Sequence, residues 1–310
     1  MDNYRFMMID RLLKIGNGQY HLYFFKNEKM NTKRKRHELQ CLSKLKGISR
    51  ISVIVYNTEN LNNLAVTNYK LNDRLKRHIA KIYSFEEYQD VFIKENNHIK
   101  VGKSTKIFGD KKSGNTDKFV TNLLKNMSKD DTFLMDNEGI DITEKLLKKT
   151  PTTAFDIDLY DSKNNVIYEF LKTENPYISN ATAHPMRYSW TGQKEDNSQK
   201  FISLNQFAKQ IGACLKFVIY STRKKDCSYV KLISDAIIKD QIGFSKDKEY
   251  ILSSDELGNF LEYNFHQQEN YLIKDNDQVY LIDTDFKNKE NMKEKLKGLE
   301  KDAEKDYQID

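Results

Sequence analysis

The feature that most constrains the fold is the segment from Phe155 to Tyr220, in which strand-like and helix-like patterns follow one another. It begins FDIDLY, continues after the polar turn SKNN with VIYEFLK, and ends, beyond a polar insert, with QFAKQIGACLKFVIYS. Alternation of apolar and polar residues predicts a half-buried strand, and a short β-branched run predicts a buried one. The segment therefore predicts two strands joined by a turn, then a helix that packs on the sheet and a third strand.

Acidic residues alternate with apolar residues on the first of these strands. Successive side chains of a strand point to opposite faces, so Asp156 and Asp158 share one face and the apolar residues share the other. The second strand carries Glu169 and Lys172 near its end. Hard divalent cations prefer carboxylate oxygens, so acids and a lysine on neighbouring strand ends indicate a metal site that acts on phosphate.

In these residues the segment resembles the PD-(D/E)xK nuclease family, which has the restriction-endonuclease-like fold. Phe155-Asp156 stands where Pro-Asp is common in the family, and Glu169 and Lys172 stand where its (D/E)xK pair would be. The resemblance covers roughly residues 150–225. It implies a metal-dependent endonuclease that hydrolyses phosphodiester bonds, with DNA as the expected substrate in a restriction, defence or mobile-element setting.

The resemblance also implies a role for each residue. Asp156, Asp158 and Glu169 would bind Mg²⁺ or Mn²⁺, and Asp156, Glu169 and Lys172 would form the catalytic set. The ion would lower the pKa of a bound water and neutralise phosphate charge, while Lys172 would position the water and stabilise the oxyanion. Asp158 would be either a further ligand or a hydrogen-bonding partner of the ligands. Double-strand cleavage by this fold commonly needs two active sites, which also raises a homodimer as an assembly.

The spacing departs from the family motif, because two residues instead of one separate Glu169 from Lys172. In a regular strand these two side chains would point to opposite faces. A β-bulge between them would restore a common face; otherwise Glu174 or Glu195 would supply the second acid. The departure keeps open an alternative, a catalytically inactive nucleic-acid-binding or regulatory protein with the same fold. A protein-interaction module without a nucleic-acid role is a third hypothesis.

Two further stretches predict contacts with a nucleic acid. Residues 31–47 form a short amphipathic helix whose first turn is basic, and the polar insert interleaves aromatic with basic side chains. The predicted contacts are Lys33, Arg34, Lys35 and Arg36 in the helix and Arg187, Tyr188, Trp190 and Lys194 in the insert. Each set has a structural alternative, as a solvated helix face and as aromatic anchors of a loop.

The remaining patterns predict a smaller α+β domain ahead of the central segment. The expected elements are a hairpin over residues 4–26 around Gly16-Asn17-Gly18, the helix over 31–47, a strand over 51–56, two helical pieces over 70–90, and helices over 116–127 and from about residue 141. A break at Thr150-Pro151-Thr152 sets the predicted division. It separates an N-terminal domain over 1–150 for recognition, sensing or docking, a restriction-endonuclease-like α/β domain with a mixed sheet flanked by helices over 151–290, and a charged helix or tail over 291–310.

Composition excludes several other classes. The 310 residues are 38% hydrophobic and carry a net charge of +6, which fits a globular protein and permits a polyanionic partner. Three widely spaced cysteines, Cys41, Cys214 and Cys227, predict neither a disulfide framework nor a zinc site. No stretch has the length and apolarity of a signal peptide or membrane span, so we expect a cytoplasmic protein without a membrane partner.

Overall fold

A computed structural model describes the protein over residues 5–16, 18–29, 32–57, 59–72, 74–77, 80–97, 138–148, 154–173, 198–221, 229–234, 238–239, 243–244, 248–253, 257, 272–275 and 278–281. The described helices are α1 (Thr32–Leu42), α2 (Phe85–Asn97), α3 (Glu138–Leu147) and α4 (Ser198–Ile211). The described strands are β1 (Phe6–Gly16), β2 (Gln19–Asn27), β3 (Ile48–Tyr56), β4 (Asn63–Asn72), β5 (Arg74–Arg77), β6 (Lys81–Ser84), β7 (Phe155–Asp161), β8 (Val166–Thr173), β9 (Cys214–Ser221), β10 (Tyr229–Ser234), β11 (Ile238–Lys239), β12 (Gly243–Phe244), β13 (Lys248–Ser253), β14 (Leu272–Asp275) and β15 (Gln278–Leu281). The protein is therefore a mixed α+β protein.

The chain divides into two compact units. The first unit contains Met1–Ile167 and Glu195–Ala213, and the second unit contains Tyr168–Lys194 and Cys214–Asp310. This division differs from the boundary predicted near residue 150, because β7 pairs with β1 and α4 packs on β7, which places both elements in the first unit. β8 begins in the first unit and continues into the second.

The sheet of the first unit is mixed. Its strands follow the order β7-β1-β2-β3-β4-β5, and β6 also pairs with β4. β1 and β2 form an antiparallel hairpin, which confirms the prediction from the glycine-rich turn. β2 and β3 are parallel and α1 connects them, whereas β1 and β7 are antiparallel. β1 therefore lies between its hairpin partner and the strand that carries the two candidate acids.

Buried residues on both faces of β2 place helices on both sides of this sheet. Tyr23 and Phe25 belong to a buried apolar cluster that includes side chains of α2 and α3. On the opposite face, the rings of Tyr20 and of Phe207 in α4 meet edge to face with centroids 5.0 Å apart. Alternate side chains of one strand thus reach different helices, which explains why β2 is buried almost throughout instead of alternating between buried and exposed residues.

A capping box fixes the start of α2. The amide of Glu87 donates to Ser84 Oγ over 3.2 Å, and the amide of Ser84 donates to Glu87 Oε2 over 2.8 Å. Two donors that the first helical turn leaves unsatisfied are thereby paired. The helix predicted from FEEYQDVFI is confirmed.

The first helical piece predicted over residues 70–90 is wrong. β4 extends to Asn72 and is followed by β5 and β6. The reason is tertiary, because β3 offers β4 a complete antiparallel ladder from Val55 opposite Ala65 to Arg50 opposite Lys70. Such pairing overrides the helical preference of a lysine- and leucine-rich sequence. His78, which we expected to be a surface or packing residue, lies outside the described residues.

The C-terminal end of α4 is fastened to two turns of the first unit. Gln210 Nε2 donates to the carbonyl oxygen of Gly18 in the hairpin turn and, over 3.3 Å, to that of Lys46 before β3. Gly47 lies beside this amide with a φ of +91°, a conformation that favours glycine. The contact holds α4 across the ends of β1, β2 and β3.

The strands of the second unit follow the order β14-β15-β13-β10-β9-β8. β10 is antiparallel to both β9 and β13, and β13 is parallel to β15. The helix and the strand that the sequence predicts after the polar insert correspond to α4 and β9. The predicted helix over 116–127 and the tail over 291–310 lie outside the described residues. Among the described helices, none combines the length and apolarity needed to cross a membrane.

Candidate functional site

The two acids of β7 lie on one face of the strand, as its alternation predicts. Phe155 and Ile157 are buried, and Asp156 and Asp158 between and beyond them are half-buried. The ring of Phe155 packs edge to face on Phe207 of α4 with centroids 6.3 Å apart. The acids therefore point away from α4, toward the face of the sheet that α2 covers.

Both acids coincide with breaks in the pairing of β7 with β1. The paired residues around the first break are Ile9 with Ile157 and Leu12 with Phe155. Between these pairs, Asp10 and Arg11 of β1 oppose Asp156 alone, which is the two-against-one arrangement of a β-bulge. A second break, between Met7 and Ile9, leaves Asp158 and its neighbour opposite a single residue of β1. Bulges redirect side chains and are common beside active sites.

The bulge on β1 places Arg11 beside Asp156. Leu12 and Phe155 are partners and share a face, so Arg11 and Asp156, one position away on each strand, share the opposite face. Arg11 is 4% exposed, and its Nε and Nη2 donate to Asn96 Oδ1 of α2 over 3.0 and 2.8 Å. Burial lowers the pKa of Arg11 to about 10, while electrostatic interactions with Tyr23 and Asp156 act in the opposite direction. The guanidinium remains a cation at neutral pH.

Asp10, the other residue of the bulge, uses its side chain to bind the backbone of β2, the strand on the other side of β1 from β7. Its Oδ2 accepts a hydrogen bond from the backbone amide of Phe25 over 2.8 Å, in a buried position. The carboxylate thus provides the acceptor that the buried backbone amide of β2 needs. Asp10 is therefore a structural acid of the bulge.

A polar network extends from Arg11 across the sheet face that α2 covers. Glu95 of α2 accepts hydrogen bonds from Tyr23 Oη at 2.8 Å and from Arg50 Nη2 at 3.0 Å. Burial and the carboxylate of Glu95 raise the pKa of Tyr23 well above 10, which keeps the phenol a donor. The neighbouring residue of the helix, Asn96, binds Arg11. The last turn of α2 therefore closes over the polar part of the sheet.

His21 and Ser52 lie at the centre of the network, 2.7 Å apart, but their hydrogen-bond directions do not activate a serine nucleophile. Arg50 Nη2 donates to Asn68 Oδ1 at 3.3 Å, which orients that oxygen toward Ser52. Ser52 Oγ then donates its proton to Asn68 Oδ1 at 2.5 Å, and His21 Nε2 donates to Ser52. Burial, followed by the charge of Arg50, lowers the pKa of His21 well below 6.5. The imidazole is a neutral structural donor.

Of the two site residues predicted on β8, the structure describes the side chain of one, Glu169. Glu169 is 2% exposed and its backbone lies in the part of β8 that belongs to the second unit. Lys172 belongs to the same strand, and its side chain lies outside the described part. The alternative acids Glu174 and Glu195 and the predicted contacts Arg187, Tyr188, Trp190 and Lys194 also lie outside the described residues. The expected catalytic set therefore remains a prediction.

The basic turn of α1 is divided between surface and interior. Lys33 and Arg36 are exposed, and Lys35 is half-buried with its Nζ donating to the carbonyl oxygen of Glu28 at 3.3 Å. Contact of these three residues with a phosphate backbone remains a prediction. Arg34 differs from them, because its side chain is buried.

Arg34 belongs to a buried group of charges, here called the α1 ion group and formed by Lys26, Arg34 and Glu38. Glu38 lies 2.8 Å from Arg34 Nε and 3.3 Å from Lys26 Nζ, and all three side chains are at most 1% exposed. Arg34 Nη2 also donates to the carbonyl oxygen of Phe6 at 2.8 Å. The prediction that Arg34 contacts nucleic acid is therefore wrong, because its guanidinium joins α1 to β1 and β2.

The donor chemistry of β7 fits a hard divalent cation. Asp156 and Asp158 provide carboxylate oxygens on one half-buried face, and Mg²⁺ and Mn²⁺ prefer such ligands. Within the described part of the chain, no group of three or more histidine, cysteine, aspartate or glutamate side chains is arranged to hold a metal ion. The two acids of β7 thus form the part of the predicted ligand set that lies in the first unit, and Glu169, the third predicted ligand, lies in the second unit.

The polar network was not predicted from the sequence. Its members come from five separate strands and a helix, and they are Arg11, His21, Tyr23, Arg50, Ser52, Asn68, Glu95, Asn96 and Asp156. One sequence signal points to it, which is the presence of His21 in the otherwise aromatic and aliphatic run from Tyr20 to Phe25. Compared with protein-family models, curated proteins and solved structures, the chain matches no family model, no curated protein and no solved structure.

Proposed function

We propose that the protein is a divalent-metal-dependent nuclease that hydrolyses phosphodiester bonds, with DNA as the expected substrate. The observation that carries the proposal is the placement of Asp156 and Asp158. Both are half-buried on one face of β7, and both coincide with breaks in its pairing with β1. The family resemblance implies an acid at the start of this strand, and Asp156 is the second residue of β7.

Asp156 and Asp158 would hold Mg²⁺ or Mn²⁺ in this proposal. When bound, the ion would lower the pKa of a coordinated water and neutralise charge on the phosphate. Half-burial of the two carboxylates limits their solvation, which strengthens their attraction for a cation relative to fully exposed acids. Glu169 and Lys172 keep the roles that the resemblance gives them as separate, testable assignments.

Exposed cations of α1 support a polyanionic substrate. Lys33 and Arg36 are exposed at the start of this helix, and the chain carries a net charge of +6. Lysine and arginine contacts to phosphates supply most of the sequence-independent affinity for nucleic acids. The same residues would serve a binding protein, so they support the substrate class and not the catalytic step.

The test is a cleavage assay with Mg²⁺ or Mn²⁺ on plasmid, linear and single-stranded DNA and on RNA. We expect Asp156→Asn and Asp158→Asn to abolish cleavage, and Lys172→Ala to lower its rate by about 100- to 1000-fold, because it removes the group that stabilises the oxyanion. Glu59→Gln is the matched control, since it alters an acid in an exposed ion pair with Lys29 that contributes little to stability. Circular dichroism must show that every variant is folded.

Cleavage that survives Asp156→Asn and Asp158→Asn at the wild-type rate would move the chemistry away from β7. A wild-type protein that cleaves none of the substrates would contradict the proposal in its simplest form and favour the alternative below. Glu169→Gln tests the second acid separately, as a loss of cleavage would support that assignment in spite of the one-residue departure in spacing.

The alternative is a catalytically inactive protein that binds nucleic acid or regulates a partner. The observation that favours it is the buried cation of Arg11 beside Asp156, because this acid already has an internal counter-charge. Such a protein would bind DNA or RNA with an affinity that falls steeply with salt. It would bind Mn²⁺ equally well before and after Asp156→Asn, whereas the nuclease would lose affinity.

A further inference from the structure

Arg11 occupies an unusual place in the sheet. It belongs to an interior strand, is 4% exposed, and lies on the same face as Asp156 of the neighbouring strand. An unbulged β1 would set one residue against Asp156, whereas the bulge sets Asp10 and Arg11 against it. The irregularity therefore brings a guanidinium to the position beside the acid.

The guanidinium is fixed from the helix side. Asn96 Oδ1 accepts from both Nε and Nη2 of Arg11, and Asn96 Nδ2 donates to the carbonyl oxygen of Phe92 over 2.8 Å. The second contact orients the amide, because only its oxygen can then face the arginine. The centre of the guanidinium also lies 5.5 Å from the centroid of the Phe92 ring. Arg11 thus has one orientation, with its charge held beside β7.

We propose that Arg11 is a built-in counter-cation for Asp156, whose charge an incoming divalent cation must overcome. This inference rests on the proposed function, in which Asp156 is a metal ligand. Like charges repel across a few ångströms of half-buried protein more strongly than in water. The affinity of the site for metal is therefore set by the bulge as well as by the number of carboxylates.

Arg50 provides a matched control on the same sheet face. It is also an arginine fixed by the last turn of α2, but its partner there is the carboxylate of Glu95 at 3.0 Å, so its charge is already compensated. Removing Arg50 changes the net charge by the same amount as removing Arg11. Only the removal of Arg11 should alter the cation that faces Asp156.

The experiment measures Mn²⁺ binding at pH 8 by electron paramagnetic resonance of the free ion, without nucleic acid. We expect Arg11→Met to tighten binding by about fivefold or more, from the loss of one positive charge at short range, and Arg50→Met to change it by less than about twofold. Arg11→Lys, which keeps the charge, should stay near the wild-type affinity. Adding Asp156→Asn to Arg11→Met should abolish the gain.

Asn96→Asp is a second variant for the case that Arg11→Met does not fold. It keeps the arginine and places a carboxylate against its Nε and Nη2, which draws the charge of Arg11 toward the helix. Binding of Mn²⁺ should again tighten by several-fold.

The outcomes separate the two proposals. Loss of affinity in Asp156→Asn with unchanged or weaker binding in both Arg11→Met and Asn96→Asp would overturn the role of Arg11 and leave the metal site standing. Binding that is indifferent to Asp156→Asn would overturn both, since Asp156 would then not be a ligand.

Discussion

The α1 ion group offers a sharp test of how the first unit is held together. It contains two cations and one anion, and Glu38 is the carboxylate that both Lys26 and Arg34 contact, at 3.3 and 2.8 Å. All three side chains are buried, so water cannot replace a lost partner. Replacing Glu38 by Gln keeps the shape of the side chain and removes only its charge.

The expected cost follows from the charge balance. Breaking a buried ion pair by removing one partner costs about 3–5 kcal/mol, because the remaining charge is uncompensated. Glu38→Gln should fall in this range, since two cations lose their shared carboxylate. Lys26→Met should cost less than about 2 kcal/mol, because it leaves the pair of Arg34 and Glu38 intact and removes the desolvation penalty of an ammonium. It also gives up the contact of Lys26 Nζ with the Phe24 ring, at 3.7 Å from the centroid.

Urea-induced unfolding followed by circular dichroism gives the free-energy changes, and hydrogen exchange by mass spectrometry over residues 20–42 assigns them to α1 and β2. The double variant completes a thermodynamic cycle, in which we expect a coupling energy of about 1–3 kcal/mol for groups in direct contact. Unfolding of Glu38→Gln within about 1 kcal/mol of wild type, or a larger loss in Lys26→Met than in Glu38→Gln, would refute the charge-balance reasoning.

Two further predictions concern the first unit. The pKa of His21 lies below its ordinary value in the folded state, so the unfolded chain binds a proton at this residue more readily than the folded protein does. The free energy of unfolding should therefore fall by up to about 1.4 kcal/mol per pH unit below about pH 6.5. His21→Gln should flatten this dependence in thermal melts taken from pH 7 to pH 5. Gly47→Ala should cost about 2 kcal/mol or more, because the left-handed backbone disfavours a Cβ and that atom would lie 2.7 Å from the carbonyl oxygen of Gly18. Adding Gln210→Ala should not restore stability, and a double variant as stable as Gln210→Ala alone would show that the backbone contact is unimportant.

Local patterns predicted much of the first unit. The glycine-rich turn predicted the β1–β2 hairpin, the segment FEEYQDVFI predicted α2, and alternation on β7 predicted which face carries Asp156 and Asp158. Each of these features depends on residues a few positions apart. The sequence is therefore informative wherever the physical cause is local.

Features that depend on strand order were not predictable. β4 was mistaken for a helix because its partner β3 cannot be inferred from its own residues. Arg34 was assigned to the surface because the depth of a helix face depends on what packs beneath it, here Glu38 and Lys26. The placement of Arg11 beside Asp156 requires knowing that β1 pairs with β7, which no spacing in the chain reveals.

The pairing of β1 with β7 has a consequence for synthesis of the protein. Arg5 and Asp161, which form a partly buried ion pair at the end of these strands, are 156 residues apart. A ribosome adding about 5–20 residues per second needs about 8–30 s to make the intervening chain. During this interval the apolar β1 is an unprotected strand edge, open to pairing with another nascent chain. We therefore expect newly synthesised chains to be most prone to aggregation before β7 emerges.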